Sequence, residues 1–343
     1  MLLAELAACS GVSGAEDEVR DLLRQRMSPH VDELQTDALG NLICLKRGSS
    51  GAERPRVMLA AHQDEVGLMI TKIEKTGLLR FRPVGGMDPR VLPAKAVYVG
   101  PRRVPGIIGG KPVHLQEPEE RKKPYGFSDL HIDLGATDEA QAAELVRIGE
   151  VAVFATEPGP FGEGLMKGKA FDDRVGCAAV AELLKDRYPF PLYGVFTVQE
   201  EVGMRGAGVA AYRLEPDLAL VFEGTTASDV PESPSHLRST VVGQGPAVTV
   251  MDASVVVRPW LVERLRAVAT RWGISYQLRR LNVGATDAGR IALTGAGVPS
   301  VTISVPTRYI HSPVTALNPA DLENAVKLAR AFLESIAEEG IPQ

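Results

Sequence analysis

The chain has 343 residues, a net charge of −5 and 45% hydrophobic residues. At roughly 150 residues per domain, that length accommodates about two domains. Such a composition has too much apolar material for a disordered chain, and its acidic balance lacks the basic footprint of a nucleic-acid binder. No apolar run approaches the roughly 18 residues of a membrane-spanning helix. The opening stretch MLLAELAACSGVSGAEDEVR carries acids where a secretory signal has basic residues, so a cytoplasmic protein is expected. Cys9, Cys44 and Cys177 are far apart and form no CxxC pair, which supports neither a disulfide framework nor a cysteine zinc site. With only six histidines, any metal site must draw mostly on carboxylates.

The first predicted element is a helix over residues 13–27. Ser13 and Glu16 have capping-box spacing, and Val19, Leu22, Leu23 and Met27 recur with helical period. Residues 57–61 form an apolar run, read as a buried strand that ends in His62-Gln63-Asp64-Glu65. From about Val66 to Gly164 the texture changes to short β-like pieces, such as 68–73 and 79–82, punctuated by Gly and Pro, with one helix near 139–148. The charged stretch 117–123 reads as a solvated loop. After Gly168, strands and helices alternate: helices at 172–187, 260–272 and 321–338, and strands at 192–198, 217–222 and 298–305. Such alternation implies an α/β domain, a mostly parallel sheet with helices on both faces. The expected architecture is therefore an α/β domain split by a β-rich insert.

The polar residues fall into place on this map. His62 and Asp64 follow one strand, Glu200 and Glu201 a second, Glu223 a third and His311 a fourth, while Asp172-Asp173 opens a helix. Ligands of open α/β sheets bind beyond the carboxyl ends of the strands. Acidic groups converging there repel one another unless a cation sits among them. Two histidines with three or more carboxylates suit zinc, cobalt or manganese. Each motif alone is weak. A single histidine is more often a core residue than a ligand, and Asp172-Asp173 at a helix start has the bland reading of carboxylates at the positive end of a helix dipole. Other patterns fail: Gly168-Lys169 is no Walker A motif, and the chain has neither HExxH nor GxSxG. Cys177 reads as a small packing residue, and His30, His114, His131 and His236 have no convergent partners in the sequence.

Motifs along the whole chain resemble the M42 family of metallo-aminopeptidases. They are GVSGAEDEVR, AAHQDEVG, GGKPVHLQEPEERKKP, DLHIDLGA, KGKAFDDRVG, TVQEEVGMRGA, VGATDAG and PTRYIHSP, in that order. The resemblance implies a catalytic domain from residues 1–65 and 165–343, with an inserted β-barrel or PDZ-like oligomerisation domain over 66–164. It implies two divalent ions per subunit, zinc or cobalt, with manganese as a further option. One ion would be held by His62, Asp172 and Glu223, the other by Asp172, Glu201 and His311. Glu200 would be the general base and Asp64 would orient His62. The Asp172–Asp173 peptide would be cis. Substrates would be short peptides, and the chain would form a homo-oligomer, a tetrahedral dodecamer. Two departures stand out: Glu223 occupies a position that is often Asp in the family, with Asp229 as a nearby rival, and Pro313 stands where His is frequent. Three rival functions are a related two-metal deacetylase or carboxypeptidase, a glycosidase, and an inactive assembly protein. A glycosidase needs paired carboxylates without a metal, and the 18 aromatic residues leave few sugar platforms.

Overall fold

The computed structural model describes residues 2–279 and 284–342. The chain opens with α1 (Leu2–Ala8), α2 (Asp17–Met27), β1 (Glu33–Thr36), β2 (Leu42–Lys46) and β3 (Val57–His62). It then runs through β4 (Gly67–Ile73), β5 (Leu79–Val84), β6 (Ala96–Val99), β7 (Val104–Gly110), β8 (Leu130–Asp133), α3 (Glu139–Leu145) and β9 (Val151–Phe154). The next elements are β10 (Gly159–Phe161), β11 (Leu165–Gly168), α4 (Phe171–Leu183), β12 (Leu192–Thr197), α5 (Arg205–Leu214), β13 (Leu218–Thr226) and β14 (Ala247–Val248). Last come α6 (Pro259–Trp272), β15 (Gln277–Leu278), α7 (Asp287–Ala292), β16 (Ser300–Arg308), β17 (Thr315–Leu317) and α8 (Pro319–Glu339).

These strands form one mixed sheet and one closed barrel. The sheet runs β1-β2-β12-β3-β13-β16-β17-β11-β10, and β14 and β15 join it beside β16. Its centre, β12-β3-β13-β16, is parallel, and the flanking pairs β2-β12 and β16-β17 are antiparallel. The barrel closes as β4-β5-β8-β7-β6-β9. The α/β class with a mixed sheet, flanking helices and a small barrel is thus the observed fold.

Residues alternate across the central strands with the period of two that a pleated strand imposes. In β3, Val57, Leu59 and Ala61 pack with α4 and α8, whereas Met58 and Ala60 pack with α5 and α7 on the other face. A parallel sheet covered on both faces needs apolar residues at every position, which is why residues 57–61 carry no polar alternation. Leu68, Ile70, Phe81, Val99, Ile108 and Ile132 fill the barrel as a core of its own.

Several helix ends follow local chemistry. Asn318 accepts a hydrogen bond from the Ala320 N–H at 3.0 Å, and Pro319 occupies the first turn, where its missing N–H costs nothing. So α8 starts earlier than residue 321. Gly273 ends α6 in the left-handed region, at φ 62°. The predicted capping box at Ser13 does not form. Helix α2 begins at Asp17, and the Ser13 hydroxyl donates instead to Asp64, at 2.6 Å. Helices α1, α5 and α7 are not anticipated by the sequence pattern. In α5, RGAGVAAYRL, two glycines mimic a loop, but its small residues Ala207, Ala210 and Ala211 let it lie close on the sheet. Helix α4 stops at Leu183, short of residue 187, and its first residues are not helical: Asp172 has φ −85°, ψ 107° and Asp173 has φ −121°, ψ 47°.

No helix of the described residues is long and apolar enough to cross a membrane. Phe332, on the buried face of α8, is fully enclosed in the core. Phe332→Ala should therefore lower the unfolding free energy by about 3–5 kcal/mol in a denaturant titration.

Candidate metal centre

Strands β3, β12, β13 and β16 run parallel, so their carboxyl ends bring His62, Glu200, Glu201, Glu223 and His311 to one edge of the sheet. Asp172 reaches the same point from the start of α4. His62 Nε2 lies 3.3 Å from Asp172 Oδ1 and 3.4 Å from Glu223 Oε2. His311 Nε2 lies 3.3 Å from Asp172 Oδ2 and 3.3 Å from Glu201 Oε2. Each oxygen of Asp172 therefore faces a different histidine. Glu200 Oε2 stands back, 4.0 Å from His62 Nε2. All seven residues expected at the site converge there, Asp64 included.

The Asp172–Asp173 peptide is cis, and Ala170 just before it is left-handed at φ 54°. The two adjacent acids have different partners. Asp172 turns to the histidines, whereas Asp173 accepts from the His62 N–H at 3.2 Å and the Gly176 N–H at 2.8 Å. Asp173 thus also serves the start of α4, which is the bland reading of the Asp pair realised in one of its two members. Gly224 leaves room for the turn: a Cβ there would sit 2.9 Å from the Asp172 Cα. His311 is itself left-handed at φ 57° and lies at the rim, with 37% of its side chain exposed.

Asp64 is fully buried. Its carboxylate accepts from the Glu200 and Glu201 backbone N–H groups, at 3.0 and 3.2 Å. The His62 Nδ1 faces the Asp64 carbonyl oxygen at 3.2 Å and its carboxylate at 3.4 Å. Two acceptors on Nδ1 leave Nε2 free to bind at the site. Asp229, the rival of Glu223, is engaged elsewhere: Arg308 holds both its oxygens, at 2.8 Å each.

Two further buried acids lie beside these seven, and one of them, Asp287, is not evident from sequence pattern. Asp173 shares a candidate ligand cluster with His62 and Glu223, but its oxygens already accept backbone hydrogen bonds. Asp287, at the start of α7, takes a hydrogen bond from the Thr197 hydroxyl at 2.5 Å, while its Oδ1 has no partner. The motif VGATDAG contains Asp287, yet nothing in the sequence ties it to Thr197. Beneath the site, Lys169 Nζ binds both Glu65 oxygens, at 2.8 and 2.9 Å, and Arg174 adds a third contact to Glu65 at 3.1 Å.

A small, largely enclosed cleft adjoins the centre, lined by Val66, Phe154, Asp172, Glu201, His311 and Ser312 among others. A larger cavity, of about 680 Å³, lies at the opposite, amino ends of the strands beside Arg54, Phe190 and Ile341. It holds none of the convergent acids, so the chemistry belongs to the smaller cleft.

Residues 40–328 match the profile of the M42 glutamyl aminopeptidase family. The chain belongs to that family. A putative aminopeptidase of Acetivibrio thermocellus is 40% identical over 329 residues, covering 95% of this chain and 96% of its own. The structure of a TET aminopeptidase from a marine-sediment Thaumarchaeota archaeon superposes with a TM-score of 0.95 at 39% identity, over 99% of this chain and 96% of that one. The TET1 peptidase of Pyrococcus horikoshii, described as assembling into a tetrahedron or a large octahedral shell, gives a TM-score of 0.85 at 32% identity, over 96% and 98%. As an M42 aminopeptidase, the protein is a hydrolase of peptides.

The electrostatics of this M42 site are those of a cluster short of positive charge. Burial pushes Glu223 up to about 8 and Asp287 up to about 6. Burial likewise holds Glu200 and Asp173 well above the usual carboxylate range. For His311, burial disfavours the charge, but Asp172 and Glu201 outweigh it and raise the imidazole to about 11. His62 is raised in the same way, with Glu223 and Asp172 overcoming burial. Protons thus compensate charge that a cation would otherwise compensate. With Glu223 near 8 and His311 near 11, both hold protons at pH 7, and a metal must displace them. Zinc added to metal-free protein at pH 7 should release net protons, with affinity rising as the pH rises toward 8. A calorimetric titration repeated in buffers of different ionisation enthalpy measures this.

Proposed function

We propose that this M42 protein is a cytoplasmic, dinuclear metal-dependent aminopeptidase that removes N-terminal residues from short peptides. The observation that carries the reading is the Asp172 carboxylate, whose two oxygens each lie 3.3 Å from a different histidine nitrogen. His62, Asp172 and Glu223 would hold one divalent ion, and Asp172, Glu201 and His311 would hold the other. The donor atoms fit such ions. His62 Nε2, Asp172 Oδ1, Glu201 Oε1 and Glu223 Oε1 are buried without a hydrogen-bond partner, a condition that native proteins avoid unless something else binds there. Imidazole and carboxylate donors suit zinc, cobalt or manganese.

When bound, the ion pair polarises the scissile carbonyl and lowers the pKa of the attacking water. The chain's own residues supply the rest. Glu200 lies beside the donor set without occupying it, and it takes the proton of the attacking water and returns it to the leaving amine. Asp64 keeps the His62 ring oriented through Nδ1. The free amino terminus of the peptide binds among the carboxylates, and this charge match limits cleavage to the chain end.

We assign residues 1–65 and 165–343 to the catalytic domain and residues 66–164 to an inserted oligomerisation domain. The closed barrel with its own core supports this division. A homo-oligomer, a tetrahedral dodecamer, accords with the assembly described for the Pyrococcus horikoshii peptidase. Exposed apolar side chains on and beside the barrel, Ile107, Val113 and Leu115, are available for such contacts.

Two variants test the site. Glu200→Gln should keep its metal, measured by elemental analysis, and lose at least about 100-fold in kcat on aminoacyl chromogenic substrates. Wild-type turnover would remove Glu200 from the mechanism. His311→Ala should lower the metal content from about two ions per chain toward one, and an unchanged content would contradict that ligand.

A further inference from the structure

The segment from Gly11 to Glu16 lies outside the residues that match the family profile, yet it is wired into the catalytic centre. Val12 bridges Glu65 as a parallel pair. The Gly11 N–H donates to the Glu65 carboxylate at 3.0 Å, and the Glu65 N–H donates back to the Gly11 carbonyl at 2.9 Å. Glu16 accepts from the Gly14 N–H at 2.7 Å and the Gln199 N–H at 3.3 Å. The segment therefore clasps both the loop after β3 and the loop after β12.

At the middle of this clasp the Ser13 hydroxyl, 6% exposed, donates to Asp64 Oδ2 at 2.6 Å. It is the shortest hydrogen bond that Asp64 receives. The same oxygen accepts from the Glu201 N–H at 3.2 Å, and the other oxygen accepts from the Glu200 N–H at 3.0 Å and faces His62 Nδ1 at 3.4 Å. One carboxylate thus sets the backbone of Glu200, the backbone of Glu201 and the ring of His62. No capping role competes for Ser13, because helix α2 starts beyond it and its hydroxyl caps nothing.

We propose that Ser13 is a positioning residue of the aminopeptidase. Its hydroxyl pins the Asp64 carboxylate in the one rotation that serves all three groups. Without it, Oδ2 keeps only the longer bond from Glu201, and the carboxylate can shift within its remaining contacts. The Glu200 N–H and the His62 ring, which face the other oxygen, shift with it. Small displacements of a base and a ligand are costly because catalysis depends on alignment to fractions of an ångström. Such misplacement corresponds to about a tenfold or larger fall in rate.

This inference rests on the proposed roles of Asp64 and Glu200, so the experiment separates the two. Ser13→Ala, Ser13→Thr and Glu200→Gln are compared with the wild type for kcat, KM, thermal midpoint and zinc retention during dialysis against a chelator. Ser13→Ala should lose about tenfold or more in kcat with KM within about twofold. It should release zinc at a lower chelator concentration, with its thermal midpoint lowered by no more than about a few degrees. Ser13→Thr, which retains the hydroxyl, should recover most of the loss. Wild-type kcat and zinc retention in Ser13→Ala would overturn the proposal. So would a loss that follows a lowered thermal midpoint and is not recovered by Ser13→Thr, since that is the behaviour of a packing residue. Full turnover by Glu200→Gln would refute the base assignment and leave the effect of Ser13 on zinc retention standing.

Discussion

The site depends on one carboxylate placed between two imidazoles. Asp172 lies 3.3 Å from His62 Nε2 on one side and 3.3 Å from His311 Nε2 on the other. Everything nearby serves that placement. Its neighbour Asp173 turns away to the backbone N–H groups of His62 and Gly176. Gly224 withholds a side chain that would meet Asp172. The parallel centre of the sheet supplies Glu223 and His62 from adjacent strands, and the loop after β12 supplies Glu200 and Glu201. A rigid parallel sheet suits such a site, because its strand ends are fixed by packing on both faces.

Gathering so many acids in a buried place is costly unless positive charge accompanies them. Within the donor set the two histidines provide some, and divalent ions would provide the rest. Beneath it, Lys169 and Arg174 share the single carboxylate of Glu65, with all three side chains buried. That leaves a net positive charge next to the acids. The same trio is also a mechanical link. Lys169 donates to the Cys9 carbonyl, and Arg174 donates to the Gln63 carbonyl, which ties the end of α1, the loop after β3 and the start of α4 together. Removing Glu65 would leave two buried cations without a counter-charge, so the trio supports the site's geometry and its electrostatics at once.

The sequence revealed the parts of this arrangement that depend on local pattern. The apolar run before His62 reads as a buried strand, and acids at successive strand ends imply a shared site before any spatial information is used. Motif order then pointed to the family. Contacts between distant segments were hidden. Ser13 has the spacing of a helix cap to Glu16, and only the folded chain shows that its hydroxyl goes to Asp64, 51 residues away. Asp173 reads as a twin of Asp172, although backbone N–H groups occupy it. Asp287 depends on Thr197, 90 positions earlier. Helix α5 was obscured because its glycines and alanines, chosen for close packing on the sheet, are also the residues of a loop.

The central claim is that Asp172 is shared by two ions. Anomalous diffraction from crystals of the zinc-loaded protein, recorded on both sides of the zinc absorption edge, tests it most directly. The account predicts two anomalous peaks per chain, one beside His62 and Glu223 and one beside His311 and Glu201, with the Asp172 carboxylate between them. A single peak per chain, or a second peak held by Asp173 or Asp287 in place of Asp172, would contradict it.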